Sequence, residues 1–308
     1  MSRSAVLLMA FGGPETEEQV APFMTRLMGR PPAPPVLARV VERYRIIGGG
    51  SPLPRIAREQ AAALERQLAS EGAPSVRVAF MYSDPSIPSA IQALAAAGVQ
   101  RVVGVSLSAH YARVSSGAYA IDLAAAGQKH GVEVRMAGQY HAAPCFLDGL
   151  AESARAALDR LSAPDDTEVI FSAHSLPLEH VEGGDPYVDQ IGETMAGVMA
   201  RLPQLTWQLA YQSRGMTGDR WLGPTVEETL EELSARGRKR VLLIPVGFTA
   251  EHVETLYDID VLIAGKAREM GLEFVRAAAL NSSPYLIEAL AAVVRPHLLK
   301  TSEGETCP

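Results

Sequence analysis

The 308-residue chain is poor in cysteine, and its two cysteines, Cys145 and Cys307, cannot build a disulfide scaffold. They are also too few for a four-cysteine zinc or iron–sulfur site within one chain, so we expect no cluster of that kind. No stretch approaches the ~20 consecutive apolar residues of a membrane helix. The N-terminus also lacks the small-residue cleavage pattern of a signal peptide. The sequence therefore predicts a cytoplasmic protein without integral membrane association.

Positive charge is also in short supply. The chain has 28 Lys and Arg residues against 35 Asp and Glu residues, which gives a formal net charge of −7 at pH 7. A protein of this charge is not expected to bind nucleic acid or an anionic membrane through a uniform basic surface. Apolar residues make up 47% of the chain and charged residues 20%, a composition typical of folded globular proteins.

Short apolar runs alternate with longer amphipathic segments along the chain. The strands predicted from the runs are residues 5–10, 76–82, 102–107, 132–136, 168–172, 207–211, 241–246 and 274–278. The helices predicted between them include residues 56–68, 87–97, 147–161, 226–236 and 286–298. Several strand runs are apolar without alternation, as expected when helices cover both faces of a parallel sheet. The pattern therefore predicts the α/β class with crossover units.

The alternation is doubled. The stretch GVQRVVGVSLSAHY at residues 98–111 resembles GRKRVLLIPVGFTAEH at residues 237–252, and VLLMAFGGPE near the start resembles VIFSAHSLP at residues 169–177. The sequence thus predicts two similar α/β halves, residues 1–162 and 163–308, with a cleft between them. Ligands of open α/β sheets bind beyond the carboxyl ends of the strands, so the residues that follow each strand are the candidates for function. The tail at residues 300–308 has no core-forming pattern and is predicted to be frayed.

Two strand-end loops carry side chains suited to metal or proton chemistry. FSAHSLP places His174 directly after an apolar strand, and PVGFTAEHVETLYDID places several acidic residues where a strand gives way to a helix. Glu254 and Asp258 are spaced i, i+4 and so share one face of a helix. A neutral imidazole can accept a proton or ligate a divalent ion, and carboxylates bind cations and relay protons. The acidic and imidazole groups of the second loop are Glu251, His252, Glu254, Asp258 and Asp260.

The pattern alone leaves plainer interpretations open. A single His after a strand can be a packed loop residue, and an acidic run at a helix start can complement the helix dipole. The stretch Glu-His-x-Glu lacks the paired histidines of a zincin. The glycine motifs at residues 12–15 and 48–52 lack the Lys-Ser/Thr ending of a phosphate loop, and no nucleophile elbow is present. Cys145 is predicted to be a buried structural thiol.

Seven stretches, taken in order, carry a more specific signal. They are LLMAFGGPE, ERYRIIGGGSPL, GVSLSAHYARVSSGAY, FSAHSLP, GDPYVDQ, YQSRGMTGDRWLGP and PVGFTAEHVETLYDID. Together they resemble the ferrochelatase family over nearly the whole chain. The resemblance implies two Rossmann-like halves with a porphyrin cleft between them. It also implies insertion of ferrous iron into a porphyrin during haem synthesis, with loss of two pyrrole protons.

The same resemblance implies roles for particular residues. His174 and Glu254 are the implied catalytic pair, acting as metal ligand and proton acceptor in an order that the sequence leaves open. Asp258 is implied as a further metal ligand, and Asp260 less directly as the outward continuation of an acidic path. The implied porphyrin contacts are Phe11, Arg43, Tyr44, Ser51 and Tyr119. Phe11 occupies a position where some members have an iron-ligating Tyr, and a phenyl ring cannot ligate iron.

Other departures point to the compact bacterial type of the family. Two cysteines cannot hold the C-terminal iron–sulfur cluster that some members carry, and the interval between the two glycine motifs is short. That type often metallates coproporphyrin III, which we favour slightly over protoporphyrin IX. The expected partners are porphyrin and ferrous iron, iron being a substrate rather than a cofactor, and the expected oligomeric state is a monomer. The alternatives are a chelatase for another tetrapyrrole and a non-catalytic haem or porphyrin carrier.

Overall fold

The computed structural model describes residues 4–71, 74–215 and 220–298, and the tail at residues 300–308 lies outside the described residues. Within these ranges lie eight strands. They are β1 (Ser4–Ala10), β2 (Ser75–Phe80), β3 (Arg101–Ser106), β4 (Glu133–Met136), β5 (Glu168–His174), β6 (Thr206–Gln212), β7 (Arg240–Ile244) and β8 (Glu273–Arg276). Each corresponds to a predicted strand, with ends that differ by a few residues. Apolar runs such as residues 5–10 are buried throughout, as parallel strands covered on both faces require.

Helices connect the strands. They are α1 (Val20–Met28), α2 (Pro34–Ile46), α3 (Leu53–Gln67), α4 (Ile87–Ala96), α5 (Ala118–His130), α6 (Pro144–Leu158), α7 (Leu178–Glu182), α8 (Tyr187–Met199), α9 (Val226–Ala235), α10 (Ala264–Glu269) and α11 (Pro284–Leu298). Local sequence explains several of the helix starts. Thr225 and Glu228 form a capping box at α9, and proline occupies the first turn of α6, where it costs no backbone hydrogen bond.

Two helical segments have π geometry, which the sequence did not predict. The first π-helix (Arg113–Gly117) precedes α5, and the second π-helix (Glu254–Ile263) precedes α10. Each therefore lies between the third strand of its half and the next α-helix. Segments of π-helix are rare and occur frequently at functional sites, because the wider turn changes the direction in which side chains project.

The strands form two parallel sheets with the same order, β2-β1-β3-β4 and β6-β5-β7-β8. The two halves also share their register. Ala5 of β1 pairs with Val102, the second residue of β3, and Glu168 of β5 pairs with Val241, the second residue of β7. Six residues further along these equivalent strands lie Phe11 and His174. The predicted α/β fold of two similar halves is confirmed, and these two side chains occupy equivalent positions in it.

The two halves exchange their closing helices. Helix α6 of the first half packs on β7 and β8 of the second sheet, while α11 at the end of the second half packs on α3 and β3 of the first. The helices α6 and α11 also pack on each other. One hydrophobic core consequently runs through both halves, with Leu8 and Val105 at one end and Phe171 and Leu242 at the other. No helix in the described ranges combines the length and apolar character needed to cross a membrane.

Candidate active site

A cavity of about 420 Å³ lies at the carboxyl ends of the central strands of both sheets. In each sheet the chain reverses its winding between the first and third strands of that half, the place where α/β proteins bind ligands. The first half contributes Phe11, Leu107, His110 and Tyr119 among the lining residues. The second half contributes His174, His252 and Glu254, together with Trp221 and His180 on the chain segments nearby.

His174 and Glu254 form a hydrogen-bonded pair of titratable side chains in the wall of this cavity. His174 ends β5, Glu254 begins the second π-helix, and the Nδ1 atom of His174 lies 3.1 Å from Oε2 of Glu254. An ionised carboxylate only accepts hydrogen bonds, so Nδ1 carries the proton and donates it to Glu254. The Nε2 atom then has a free lone pair, which can bind a metal ion or accept a proton.

The electrostatics of the pair favour this arrangement. Burial opposes ionisation of Glu254, but the charges of His174 and His252 and the hydrogen bonds from His174 and Ser213 together overcome it and lower the pKa of the carboxyl to about 2. Burial would likewise lower the pKa of His174, but the charge and hydrogen bond of Glu254, together with the charge of Asp258, outweigh it and raise that pKa above 6.5. Glu254 is therefore ionised at neutral pH, and it makes His174 a stronger base than an isolated imidazole.

Asp258 lies one turn further along the second π-helix and continues the acidic side of the site. Its Oδ2 atom accepts a hydrogen bond of 2.9 Å from the hydroxyl of Ser213. Burial raises the pKa of Asp258, the bond from Ser213 lowers it, and the charge of Glu254 raises it, with a net increase. Ser213 itself follows β6 in a left-handed conformation, with φ of 57°. The structure thus places Glu254 and Asp258 on one side of the helix, with a hydroxyl between the helix and β6.

Arg43 and Tyr44, on α2 of the first half, meet the second π-helix across the cleft. The Arg43 guanidinium lies 3.7 Å from Oδ1 of Asp258 and packs over the ring of Tyr257 at 5.3 Å. Tyr44 is buried, and this burial, together with the charges of Glu254 and Asp258, raises the pKa of its phenol. Helix α2 therefore brings a cation and a phenol towards the two carboxylates.

Phe11 and Tyr119 lie in the first-half wall of the cavity. Phe11 remains 41% exposed and packs against Tyr82 with ring centroids 4.7 Å apart, so it presents an aromatic surface rather than a ligand to the cavity. Tyr119 is buried at the start of α5. Ser51 is not among the residues that line the cavity. Its backbone N–H donates to the Pro14 carbonyl at 2.6 Å, and this bond joins the two glycine motifs.

Glu251 and Asp260 do not join the Glu254 side of the site. Both pair with Arg276: Asp260 through two bonds of 2.7 Å, and Glu251 through one of 2.9 Å. Arg276 ends β8, so this cluster is built around the last strand of the second sheet. Of the acidic loop singled out in the sequence, the structure places Glu254 in the cavity wall, pairs Asp258 with Ser213 and Arg43 one turn further along, and leaves Asp260 in an ion pair.

His252, one of the groups of the second strand-end loop, lies beside Glu254 in the structure. Its Nε2 atom is 3.9 Å from Oε2 of Glu254, and its ring packs on Phe248 at 4.4 Å between ring centroids. Burial lowers the pKa of His252, although Glu254 opposes the shift. Ser213 is the neighbour that sequence reasoning passed over; it directly follows β6, so the rule that ligands lie at carboxyl strand ends could have identified it. In the described ranges no group of three or more His, Cys, Asp or Glu side chains is placed to hold a metal ion.

Comparison with known proteins identifies the family. The family model for ferrochelatase matches residues 3–298 of the chain. The chain belongs to the ferrochelatase family. A ferrochelatase from Herpetosiphon aurantiacus is 36% identical over 300 residues, covering 95% of this chain and 98% of the relative. A ferrochelatase from Deinococcus radiodurans is 35% identical over 297 residues, covering 94% of each chain. The protein is accordingly a lyase that inserts iron into a porphyrin in haem synthesis.

Solved structures agree on the fold. SirB from Bacillus subtilis with Fe³⁺ superposes with a TM-score of 0.60 at 14% identity, covering 98% of both chains. The sirohydrochlorin chelatase SirB from Bacillus subtilis subspecies spizizenii, in complex with cobalt, gives 0.57 at 12% identity, again covering 98% of both chains. Ferrochelatases and these chelatases therefore share the two-sheet architecture, whereas the sequence identity of the ferrochelatases carries the assignment of activity.

Proposed function

We propose that this ferrochelatase inserts ferrous iron into coproporphyrin III in preference to protoporphyrin IX, with His174 and Glu254 acting as metal ligand and proton acceptor. The observation that carries the proposal is the hydrogen-bonded pair of His174 and Glu254 in the wall of a cavity between the halves. Both side chains are only partly exposed, at 35% and 27%, so they remain accessible to a substrate.

Insertion requires the iron to exchange water for protein ligands and the porphyrin to lose two protons. In the proposed mechanism the Nε2 atom of His174 either ligates the iron or accepts the two pyrrole protons one after the other and releases each to solvent. Glu254 holds the other ring nitrogen and balances the charge that develops on the imidazole. Asp258 extends the negative potential outward along the π-helix and attracts the cation. Phe11 and Tyr119 offer aromatic and apolar surface to the macrocycle from the other half.

The preference for coproporphyrin III rests on charge. Coproporphyrin III carries four propionates and protoporphyrin IX two, so coproporphyrin III can pair with more cations near the site. The guanidinium of Arg43 is 46% exposed and its nearest carboxylate oxygen is at 3.7 Å, beyond hydrogen-bond distance. Its donors therefore remain available to a propionate.

We also propose that the protein is a monomer and that it binds no iron–sulfur cluster. Size-exclusion chromatography with light scattering would test the oligomeric state, and iron and sulfide analysis would test for a cluster.

An anaerobic insertion assay with Fe²⁺, run in parallel with coproporphyrin III and protoporphyrin IX, tests the proposal. We expect multiple turnovers with both and a higher kcat/KM with coproporphyrin III. A higher kcat/KM with protoporphyrin IX would overturn the proposed preference. Tight binding of both porphyrins with no more than one equivalent metallated would favour a carrier and remove the catalytic role from Glu254.

A further inference from the structure

The motif GDPYVDQ connects the two walls of the cavity and has no role in the mechanism above. Asp185 precedes α8 and is 5% exposed, with no cation bonded to its carboxylate among the described residues. Its oxygens accept two backbone N–H groups instead: Oδ2 accepts from Arg113 at 2.7 Å, and Oδ1 from Tyr187 at 3.1 Å. One carboxylate thus joins the first π-helix of the first half to α8 of the second.

Both ends of this connection reach the cavity. Arg113 begins the first π-helix, and its neighbours Ala112, Val114 and Ser115 line the first-half wall. At the other end, the hydroxyl of Tyr187 donates to the backbone carbonyl of His174 at 3.1 Å. A continuous path of three hydrogen bonds therefore runs from the first-half wall, through Asp185 and Tyr187, to the residue that carries the candidate metal ligand.

Helix α8 makes two further polar contacts with the same first-half segment. Gln190 accepts the backbone N–H of Tyr111 at 2.7 Å, and Thr194 lies 2.8 Å from Nε2 of His110. The Thr194 hydroxyl also lies 2.9 Å from the carbonyl of His141 and 3.2 Å from that of Gln190. His110, Tyr111 and Arg113 are thus each held to α8 or to Asp185 just before it.

We propose that Asp185 is a positioning residue that sets the width of the porphyrin cavity by fixing the first π-helix against α8. The proposal rests on the proposed function, because it takes a porphyrin to be the molecule that fills the cavity whose width Asp185 sets. A carboxylate that accepts two backbone N–H groups is a strong and directional tie, and it acts here at the N-terminus of a helical turn. A flat macrocycle that touches both walls depends on their separation, whereas an iron ion bound at His174 does not.

A pair of substitutions at one residue isolates the tie. Arg113→Pro removes the backbone N–H that Asp185 accepts. Proline is tolerated in a first helical turn, and Ala112 before it has φ of −141° and ψ of 140°, the extended conformation that a following proline requires. Arg113→Ala keeps the N–H and removes only the guanidinium, which donates to the Gly183 carbonyl at 3.0 Å. The difference between the two variants therefore reports on the hydrogen bond to Asp185.

Metal-free coproporphyrin III and protoporphyrin IX are titrated into the wild type and both variants, with porphyrin fluorescence as the readout. We expect Arg113→Pro to bind each porphyrin roughly tenfold more weakly than Arg113→Ala, from the loss of a hydrogen bond to a charged group. We also expect the KM for Fe²⁺ to be the same in the two variants. Equal porphyrin Kd values in the two variants, or a parallel loss of porphyrin and iron affinity, would overturn the positioning role.

A variant of Asp185 itself keeps the proposal testable if Arg113→Pro does not fold. Asp185→Asn keeps the side-chain volume but turns one acceptor into an NH₂ group, which cannot accept a second backbone N–H. We expect weaker porphyrin binding with an unchanged KM for Fe²⁺, and an unchanged porphyrin Kd would count against the proposal. A wild-type chain that binds porphyrin but never turns over would refute the proposed function alone, because the porphyrin titrations still decide the role of Asp185.

Discussion

The two halves of the molecule have the same strand order and register but different side chains at equivalent strand ends. Phe11 directly follows the first strand of one half, and His174 occupies the equivalent position at the end of the first strand of the other. A π-helix follows the third strand in both halves, yet it has 5 residues in the first and 10 in the second. The fold therefore places two equivalent positions at one cavity. The first half presents an aromatic surface there, and the second half presents the acid–base and ligand groups.

The largest effect is expected when the second half receives the residue that the first half has at the equivalent strand end. His174→Phe places the residue of Phe11 at the equivalent position and removes both the free ring nitrogen and the bond to Glu254. We expect kcat for insertion to fall by about 10²–10⁴-fold, the usual contribution of a positioned acid or base. The matched change on the other side is Phe11→Leu, for which we expect KM for porphyrin to rise by up to about tenfold with kcat retained. Steady-state insertion kinetics measure both, and a His174→Phe enzyme with normal kcat would contradict the proposed role.

His110 of the first half, which is buried, and His174 of the second, which is partly exposed, should give opposite pH dependences of stability. Burial, with a smaller effect from His141, lowers the pKa of His110 to about 3, so the unfolded chain binds a proton between pH 6.5 and 3 that the folded chain does not. Stability must then fall on acidification through that window. For His174 the raised pKa works the other way, because its contribution is lost as pH rises through the folded-state value.

The variant His110→Gln removes the first of these contributions. Between pH 7 and pH 5 we expect the free energy of unfolding of the wild type to fall by about 2 kcal/mol more than that of the variant. Urea unfolding of both proteins at the two pH values measures the difference. Equal losses in the two proteins would show that His110 is not held neutral by burial.

The pairing of His174 with Glu254 can be separated from its chemistry. Glu254→Gln keeps a hydrogen-bond acceptor but removes the largest of the contributions that oppose burial, the negative charge of Glu254, so we expect the pKa of His174 to move down. An NMR titration of the His174 ring resonance in both proteins reads this directly, without any need for turnover. An unchanged or higher pKa in Glu254→Gln would contradict the electrostatic account.

The smallest expected effect compares two carboxylates on the second π-helix. Asp258→Asn should raise the KM for Fe²⁺ several-fold by weakening the local negative potential. Asp260→Asn should leave that KM unchanged and cost less than about 1 kcal/mol of stability, because Asp260 is partly exposed and pairs with Arg276. A rise in the KM for Fe²⁺ with Asp260→Asn would instead place Asp260 on the path of the cation.

The strands along the chain and the repetition of the halves could be predicted because the buried parallel strands are short apolar runs, several of them preceded by a glycine turn. The π-helices could not, since Glu254 and Asp258 lie on one side of either an α- or a π-helix and the spacing does not discriminate. The same limit applies to α6 and α11, whose apolar faces do not say which sheet they cover. The contact between Asp185 and Arg113 could not be predicted from the motif GDPYVDQ either. Asp185 accepts the backbone N–H of Arg113, and a backbone donor leaves no complementary charge in the sequence.

The exchange of α6 and α11 between the halves also limits how the two halves can move apart. Swinging the halves apart about a hinge would pull each closing helix off the sheet of the other half and bring its apolar face into water. Substrate and product are therefore expected to pass through the mouth of the cavity by local rearrangement of strand-end loops, with the frame of the molecule intact. In such a scaffold the rate of product release depends on a few side chains at the rim rather than on a global opening.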